Sequence, residues 1–451
     1  MSVMIAFGLA SIMLLLGVIC RAKVPFLRNM LVPSAVIAGI IGVAFMNICD
    51  YFGLNLGTDS SWFTQIVNQL FIVSFISLTL MSAKESDTTK KGFFKGAWAI
   101  GIIWCLLFTI TPIIGSLLTF IFGESYSISP IYGMLIQFAF CMGPGQSTTY
   151  GGIIEGYGWD SAVMVALTFS SLGFIVAYLI GIPAAKRGIK KGLAKHNSSL
   201  DESVLRGYLK EEEQTARMKK DTTVNSNIES MAFHFAIIGL CYIMAIGISK
   251  LFALIPGYIG TSFSSLMFLN GMYAAYIVKF IMKKLGIDYF LNDDLQNKIT
   301  GWSADYLVVC SFMAVSIKVI SKWLVPIFAI AAVCACVSAV VCFYFGKRTG
   351  SSYDFERTLG LFGMATGTAP SGISLIRIVD PDFKTTAAVE LGASNPFCNV
   401  FNIPVYIMIL GYAAGSFTYT TTMAVLAGMM LVFLIVLKAT GCWGKKTYTL
   451  K

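Results

Sequence analysis

The chain has 451 residues, of which 56% are hydrophobic and only 12% charged, with a mean hydropathy of +0.76. A soluble domain carries about a quarter charged residues, so this composition excludes a molecule clothed in water on all sides. The formal charge of +10 does not indicate a nucleic-acid partner, because the basic residues fall in short segments between apolar runs, as in cytoplasmic membrane loops.

Apolar runs near 20 residues recur along the chain, each long enough to cross about 30 Å of hydrocarbon. They are continuous rather than alternating, so they read as helices. Taken in order, spans are expected near residues 3–20, 31–49, 63–82, 96–122 and 161–185, then 232–249, 262–282, 304–321, 323–346, 386–410 and 417–438. The first lacks a basic start or a small-residue cleavage site and is read as retained. Most of the eleven cysteines lie inside apolar runs, among them Cys105, Cys141, Cys310, Cys334, Cys336 and Cys342, and read as small buried hydrophobes. Between the two groups of spans lies a polar stretch, Lys186 to Glu229, read as a cytoplasmic linker.

Two segments are apolar, glycine-rich and interrupted. Ile131–Glu155 contains Gly143-Pro144-Gly145-Gln146-Ser147-Thr148-Thr149, and Thr358–Asp380 contains Thr366-Gly367-Thr368-Ala369-Pro370-Ser371-Gly372. Proline and glycine break the helical hydrogen-bond ladder, and such backbone survives at membrane depth only where protein or a water cavity satisfies it. Both segments read as re-entrant hairpins.

Each hairpin precedes the last span of its half, and Ser74-Phe75-Ile76 in the third span mirrors Ser311-Phe312-Met313 in the eighth. By direct count Gly145 pairs with Gly367. Basic residues follow the first, third, seventh and ninth spans, which puts the amino terminus outside and the linker and carboxyl terminus in the cytoplasm. The expected fold is an all-α polytopic membrane protein with two inverted-topology repeats. Each repeat has five spans plus a re-entrant hairpin, and one extra C-terminal span follows. Residues 1–185 form the first repeat, 186–230 the linker, 231–412 the second repeat and 413–451 the extra helix and tail.

Inverted repeats with broken helices place a transport site near the midplane. Helix amino termini favour a carboxylate. Gly143 to Thr149 and Gly367 to Ser371 are therefore the candidate substrate site, with hydroxyls and carbonyls that also suit Na⁺. Thr366, Ser74, Ser311, Asn399 and Asn402 are candidate sodium ligands. The alternative is that these small residues permit close helix packing. Arg377 either pairs with a substrate carboxylate or snorkels to the surface beside Asp380 and Asp382. Lys318 reads as an interface anchor and Glu390 as a residue near a span entrance. Asn395, Asn399 and Asn402 share one helical face, where interhelical hydrogen bonding and ion binding both remain open. No Gly-x-Ser-x-Gly elbow, phosphate loop or His-Glu-x-x-His motif is present, so an enzyme is not expected.

The hairpins, Gly181-Ile182-Pro183 with the basic tail from Lys186 to Gly192, and Phe397-Cys398-Asn399-Val400-Phe401-Asn402 resemble the bacterial sodium/glutamate symporter family. So does the opening from Lys23-Val24-Pro25 through Pro33-Ser34 to Gly39. The family's first hairpin reads Gly-Gly-His-Gly-Thr where this chain has Gly143-Pro144-Gly145-Gln146-Ser147, and it has an acidic residue at the place of Asn399. The linker and the eleventh span look like additions. The resemblance implies sodium-coupled symport of glutamate or a related small carboxylate by alternating access, in the cell (inner) membrane, and it allows a homodimer. Competing readings are a proton-coupled carrier of another organic anion and a channel-like or accessory membrane protein.

Overall fold

The computed structural model describes residues 1–29, 32–81, 90–196, 229–350, 353–381 and 384–450. Most of the expected linker and Asp382 lie outside them. Among the described residues every regular element is helical, as backbone that must satisfy itself inside lipid requires.

The first half comprises α1 (Ser2–Lys23), α2 (Pro25–Asn29), α3 (Ser34–Tyr51), α4 (Ser60–Leu80) and α5 (Lys90–Tyr126). It continues with a hairpin of α6 (Pro130–Met134), α7 (Ile136–Phe140) and α8 (Pro144–Gly156), then α9 (Ala162–Lys190). The second half opens with α10 (Ser230–Ala253), α11 (Tyr258–Ser265), α12 (Met267–Leu285), α13 (Asp293–Met313), α14 (Ile317–Ile320) and α15 (Leu324–Gly346). Its hairpin is α16 (Asp354–Thr366) and α17 (Ala369–Val379), followed by α18 (Ala387–Phe401) and α19 (Ile403–Ala413), and α20 (Tyr419–Ala439) comes last.

Among the described residues, eight helices are long and apolar enough to cross a membrane. The three remaining expected spans differ from simple apolar rods for local reasons. The span at 262–282 is split at Leu266 into α11 and α12. The span at 386–410 is split at Asn402, two residues before Pro404, which lacks the N–H needed to continue the ladder. The span at 304–321 belongs to α13, which begins earlier on a polar turn. Asn292 caps that turn by accepting the N–H groups of Asp294 and Leu295. After Met313 the backbone breaks. Asn47 of α3 repairs the break, donating to the Val315 carbonyl at 2.9 Å and accepting the Ile317 N–H at 2.7 Å.

The helices pack as two bodies. In one, α4 crosses α13, α3 packs on α13, α12 packs on α4, and α1 and α10 cover α3 and α12. In the other, α5 gathers α6, α15, α18 and α20, while α9 carries α8, α16 and α17. These contacts pair off between the halves, α3 on α13 matching α12 on α4. A Cβ on Gly42 would come within 2.6 Å of Met313, and one on Gly271 within 2.8 Å of Ile76. Met313 and Ile76 are the residues matched by the sequence comparison of the third and eighth spans. The two bodies meet chiefly where α4 touches α8 and α13 touches α9.

Candidate substrate and ion site

The first hairpin turns at Gly143, whose φ of +89° is open to glycine at no cost. Pro144 supplies the first residue of α8, where its missing N–H breaks no helical bond. Across the hairpin Phe138 stacks on Tyr150 with ring centroids 4.1 Å apart. In the second hairpin α16 ends at Thr366 and α17 starts at Ala369, with Pro370 in its first turn. The arms touch backbone to backbone, since a Cβ on Gly363 would stand 2.8 Å from the Gly372 Cα.

The two tips meet. A Cβ on Gly143 would overlap Cγ2 of Thr368 and stand 3.2 Å from the Gly367 carbonyl oxygen. Gly143 in the first hairpin and Gly367 with Thr368 in the second lie in the turns before Pro144 and Pro370, while Gly145 lies one residue inside α8. Neither α8 nor α17 has a side-chain cap. Their ladders begin with Ser147 N–H to the Gly143 carbonyl and Gly372 N–H to the Thr368 carbonyl. The amides of Gly145, Gln146, Ala369 and Ser371 precede those first bonds and have no partner within their own helices. Each helix start carries about half a positive charge, and the ends of α7 and α16 bring carbonyls to the same place. The combination suits a carboxylate beside a small hard cation.

Gly145 lies within the first turn of α8 and packs on the ring of Phe71 from α4, which leaves no space for a Cβ. Residues Gly143 to Thr148 are buried and Thr149 is half-buried. Thr366, Gly367 and Ser371 are buried, Thr368 and Ala369 half-buried, and Pro370 exposed. The first tip is enclosed and the second opens outward. Most hydroxyls return to backbone: Ser147 to the Gly143 carbonyl at 3.0 Å, Thr148 and Thr149 to that of Gly145 at 2.8 and 2.9 Å, and Thr366 to that of Phe362 at 2.8 Å. Thr148 also donates to Asn68 of α4, and the Thr368 and Ser371 hydroxyls lie 3.3 Å apart.

Three buried oxygens nearby lack a hydrogen-bond partner: Gln146 Oε1 and the hydroxyls of Ser170 and Ser171 on α9. Gly173, less than one turn further along α9, abuts the Thr366 carbonyl. Buried oxygens of this kind are costly unless a water or ion completes them.

The remaining candidates stand on other elements. Ser74 and Ser311 lie on the crossing helices α4 and α13, and the Ser311 hydroxyl donates to the Val308 carbonyl at 2.7 Å. Asn399 donates to the Asn395 carbonyl at 3.1 Å, accepts from the Tyr406 hydroxyl at 3.4 Å, and lines a cavity of about 230 Å³ with Tyr150, Phe268 and Tyr273. Asn402 donates to the Cys398 carbonyl at 2.9 Å and reaches the sulfurs of Cys105 and Cys398, while its Oδ1 is buried without a partner. Arg377 is exposed in the last turn of α17, about 12 Å along the helix from its start. Glu390 is buried and gripped by Arg357. Sequence reasoning did not single out Arg357, Asn68, Phe71 or the Ser170-Ser171 pair. The last was visible as two adjacent hydroxyls inside an apolar span.

Discontinuous helices meeting tip to tip inside a bundle of apolar spans are the hallmark of secondary transporters among polytopic α-helical membrane proteins. The sodium/glutamate symporter family model matches residues 1–385, both hairpins included, and the chain belongs to that family. It is a family of transporters, not enzymes, in which transport is coupled to sodium. None of the curated proteins and none of the solved structures compared with the chain matches it. The helices α18 to α20 lie beyond the matched residues.

Proposed function

We propose that the chain carries glutamate or a related small carboxylate into the cell together with sodium, binding both where the hairpin tips meet. One observation carries this reading: two uncapped helix starts face one junction, next to buried oxygens that lack partners. The substrate carboxylate accepts hydrogen bonds from amides of the first turns of α8 and α17. Sodium takes carbonyl and hydroxyl oxygens, for which the unpartnered oxygens of Gln146, Ser170 and Ser171 and the Thr366 carbonyl beside Gly173 are the candidates. The amino terminus lies outside and the linker and carboxyl terminus inside, so the hairpins enter from opposite faces.

Alternating access follows from the packing. The body built on α5 and α9 holds both hairpins, and it meets the body of α4 and α13 through few helices. Sliding of one body past the other exposes the tips to each side in turn. Sodium rather than a proton is the family's coupling ion; of the buried carboxylates, Asp354 and Glu390 are engaged by Arg357, Asp380 by the N–H groups of Lys384 and Thr385, and Glu356 by the Lys195 N–H at one oxygen. Uptake of labelled glutamate and dicarboxylates into proteoliposomes tests the reading. A sodium gradient should drive accumulation. Equal accumulation from a proton gradient without sodium would favour the proton-coupled reading, and equilibration without accumulation would favour a channel.

A further inference from the structure

At the base of the second hairpin, far from the tip, lies a buried ion pair. Arg357, the fourth residue of α16, presents its fork to Glu390, the fourth residue of α18, with Nη2 donating to Oε1 at 2.5 Å and Nε donating to Oε2. Thr386 donates to the same carboxylate at 2.6 Å. Nη1 of Arg357 lies 3.4 Å from Asp354, which also accepts the Gly350 N–H at 3.0 Å and the Thr447 hydroxyl of the C-terminal tail at 2.8 Å. Gly96 of α5 packs directly onto the pair, where a Cβ would stand 2.5 Å from the Glu390 carboxylate.

Taking two charges out of water costs several kcal/mol per ion, and an apolar pair of similar volume is often as stable or more so. Stability alone therefore does not account for the pair. Its geometry does something an apolar pair cannot: a planar fork on a carboxylate fixes the direction of the helix that bears it. The helix in question is rigidly joined to its partner arm through Gly360, Gly363 and Gly372. Thr366 is nine residues above Arg357, or about 13 Å along the helix, so a tilt of roughly 10° at the base moves the tip by about 2 Å. The contact of Thr368 with Gly143 leaves no slack for such a movement.

We infer that Arg357 and Glu390 are positioning residues, which aim the second tip at the first by locking the base of α16 to α18 and α5. The inference rests on the two-tip site proposed above. It is tested on the purified full chain by amide exchange over residues 366–371 and by uptake kinetics, comparing wild type with Arg357→Met/Glu390→Met and with Arg357→Lys. The double variant keeps volume and removes both charges; the lysine keeps the charge and loses the fork. Both should exchange at the tip at least about tenfold faster than wild type; in the double variant Asp354 loses its guanidinium and keeps the Thr349 and Thr447 hydroxyls and the Gly350 N–H. The substrate KM should rise about tenfold with Vmax within about twofold. If the double variant does not fold, Arg357→Lys alone decides. Wild-type exchange at the tip in the folded variants would overturn the inference. Because exchange is read without substrate, it gives its answer even if wild-type protein takes up no carboxylate, a result that would instead sink the proposed function.

Discussion

Gly143 of the first hairpin and Thr368 of the second lie against one another with no room for a methyl group between them. The positive φ of Gly143 adds a second constraint at the same residue. Alanine there would meet backbone strain of roughly 1–3 kcal/mol, since φ +89° with ψ −174° is a region essentially kept for glycine, as well as the clash. Gly143→Ala should reach the membrane at normal level and lose at least about tenfold in uptake. Surface quantification beside initial rates checks this, and normal uptake by the variant would remove the tips from the site.

Gly145 has a different task, since it gives α8 its seat on Phe71 of the other body. Gly145→Val should abolish transport, and Phe71→Ala in the same chain should restore part of it by opening space for the new side chain. Additive losses in the double variant would show that the two residues do not work through this contact.

The two polar candidates on α17 should separate cleanly. Thr368→Ala removes one neutral hydrogen bond, worth roughly 0.5–1.5 kcal/mol, so affinity should fall by no more than about tenfold. Arg377→Gln should leave substrate affinity unchanged, because the side chain is exposed at the far end of its helix. Radioligand competition measures both, and a large loss for Arg377→Gln would bring that residue back into the site.

Much of this architecture is legible in the sequence. Continuous apolar runs of membrane length locate the spans, and the Gly143-Pro144 and Ala369-Pro370 interruptions locate the hairpins, because proline and glycine act on the backbone directly. What stays hidden depends on tertiary distance. Arg357 and Glu390 are 33 residues apart, and neither carries a local sign of the other. The break after Met313 depends on Asn47, 268 residues away in sequence from Val315. The direct count pairs Gly145, one residue inside α8, with Gly367, which lies in the second turn itself. Pro144 and Pro370 each stand in the first turn of the outgoing arm.

Ser170 and Ser171 make the sodium reading testable away from the substrate. Their hydroxyls are buried without partners, so removing one relieves a desolvation cost of about 1–3 kcal/mol in sodium-free protein. Ser170→Ala or Ser171→Ala should therefore melt at or above the wild-type temperature without sodium, while needing several-fold more sodium for half-maximal uptake. A lower melting temperature with unchanged sodium dependence would make them packing residues.

The central claim is that one junction of helix tips holds the carboxylate and the sodium together. Equilibrium binding of labelled glutamate to purified protein, titrated with sodium, tests it most directly. The account predicts that wild-type protein binds glutamate only with sodium present, that each ligand tightens the other by the same factor, and that Gly143→Ala loses both responses. Glutamate binding of equal strength with and without sodium, or coupling that survives intact in Gly143→Ala, would contradict it.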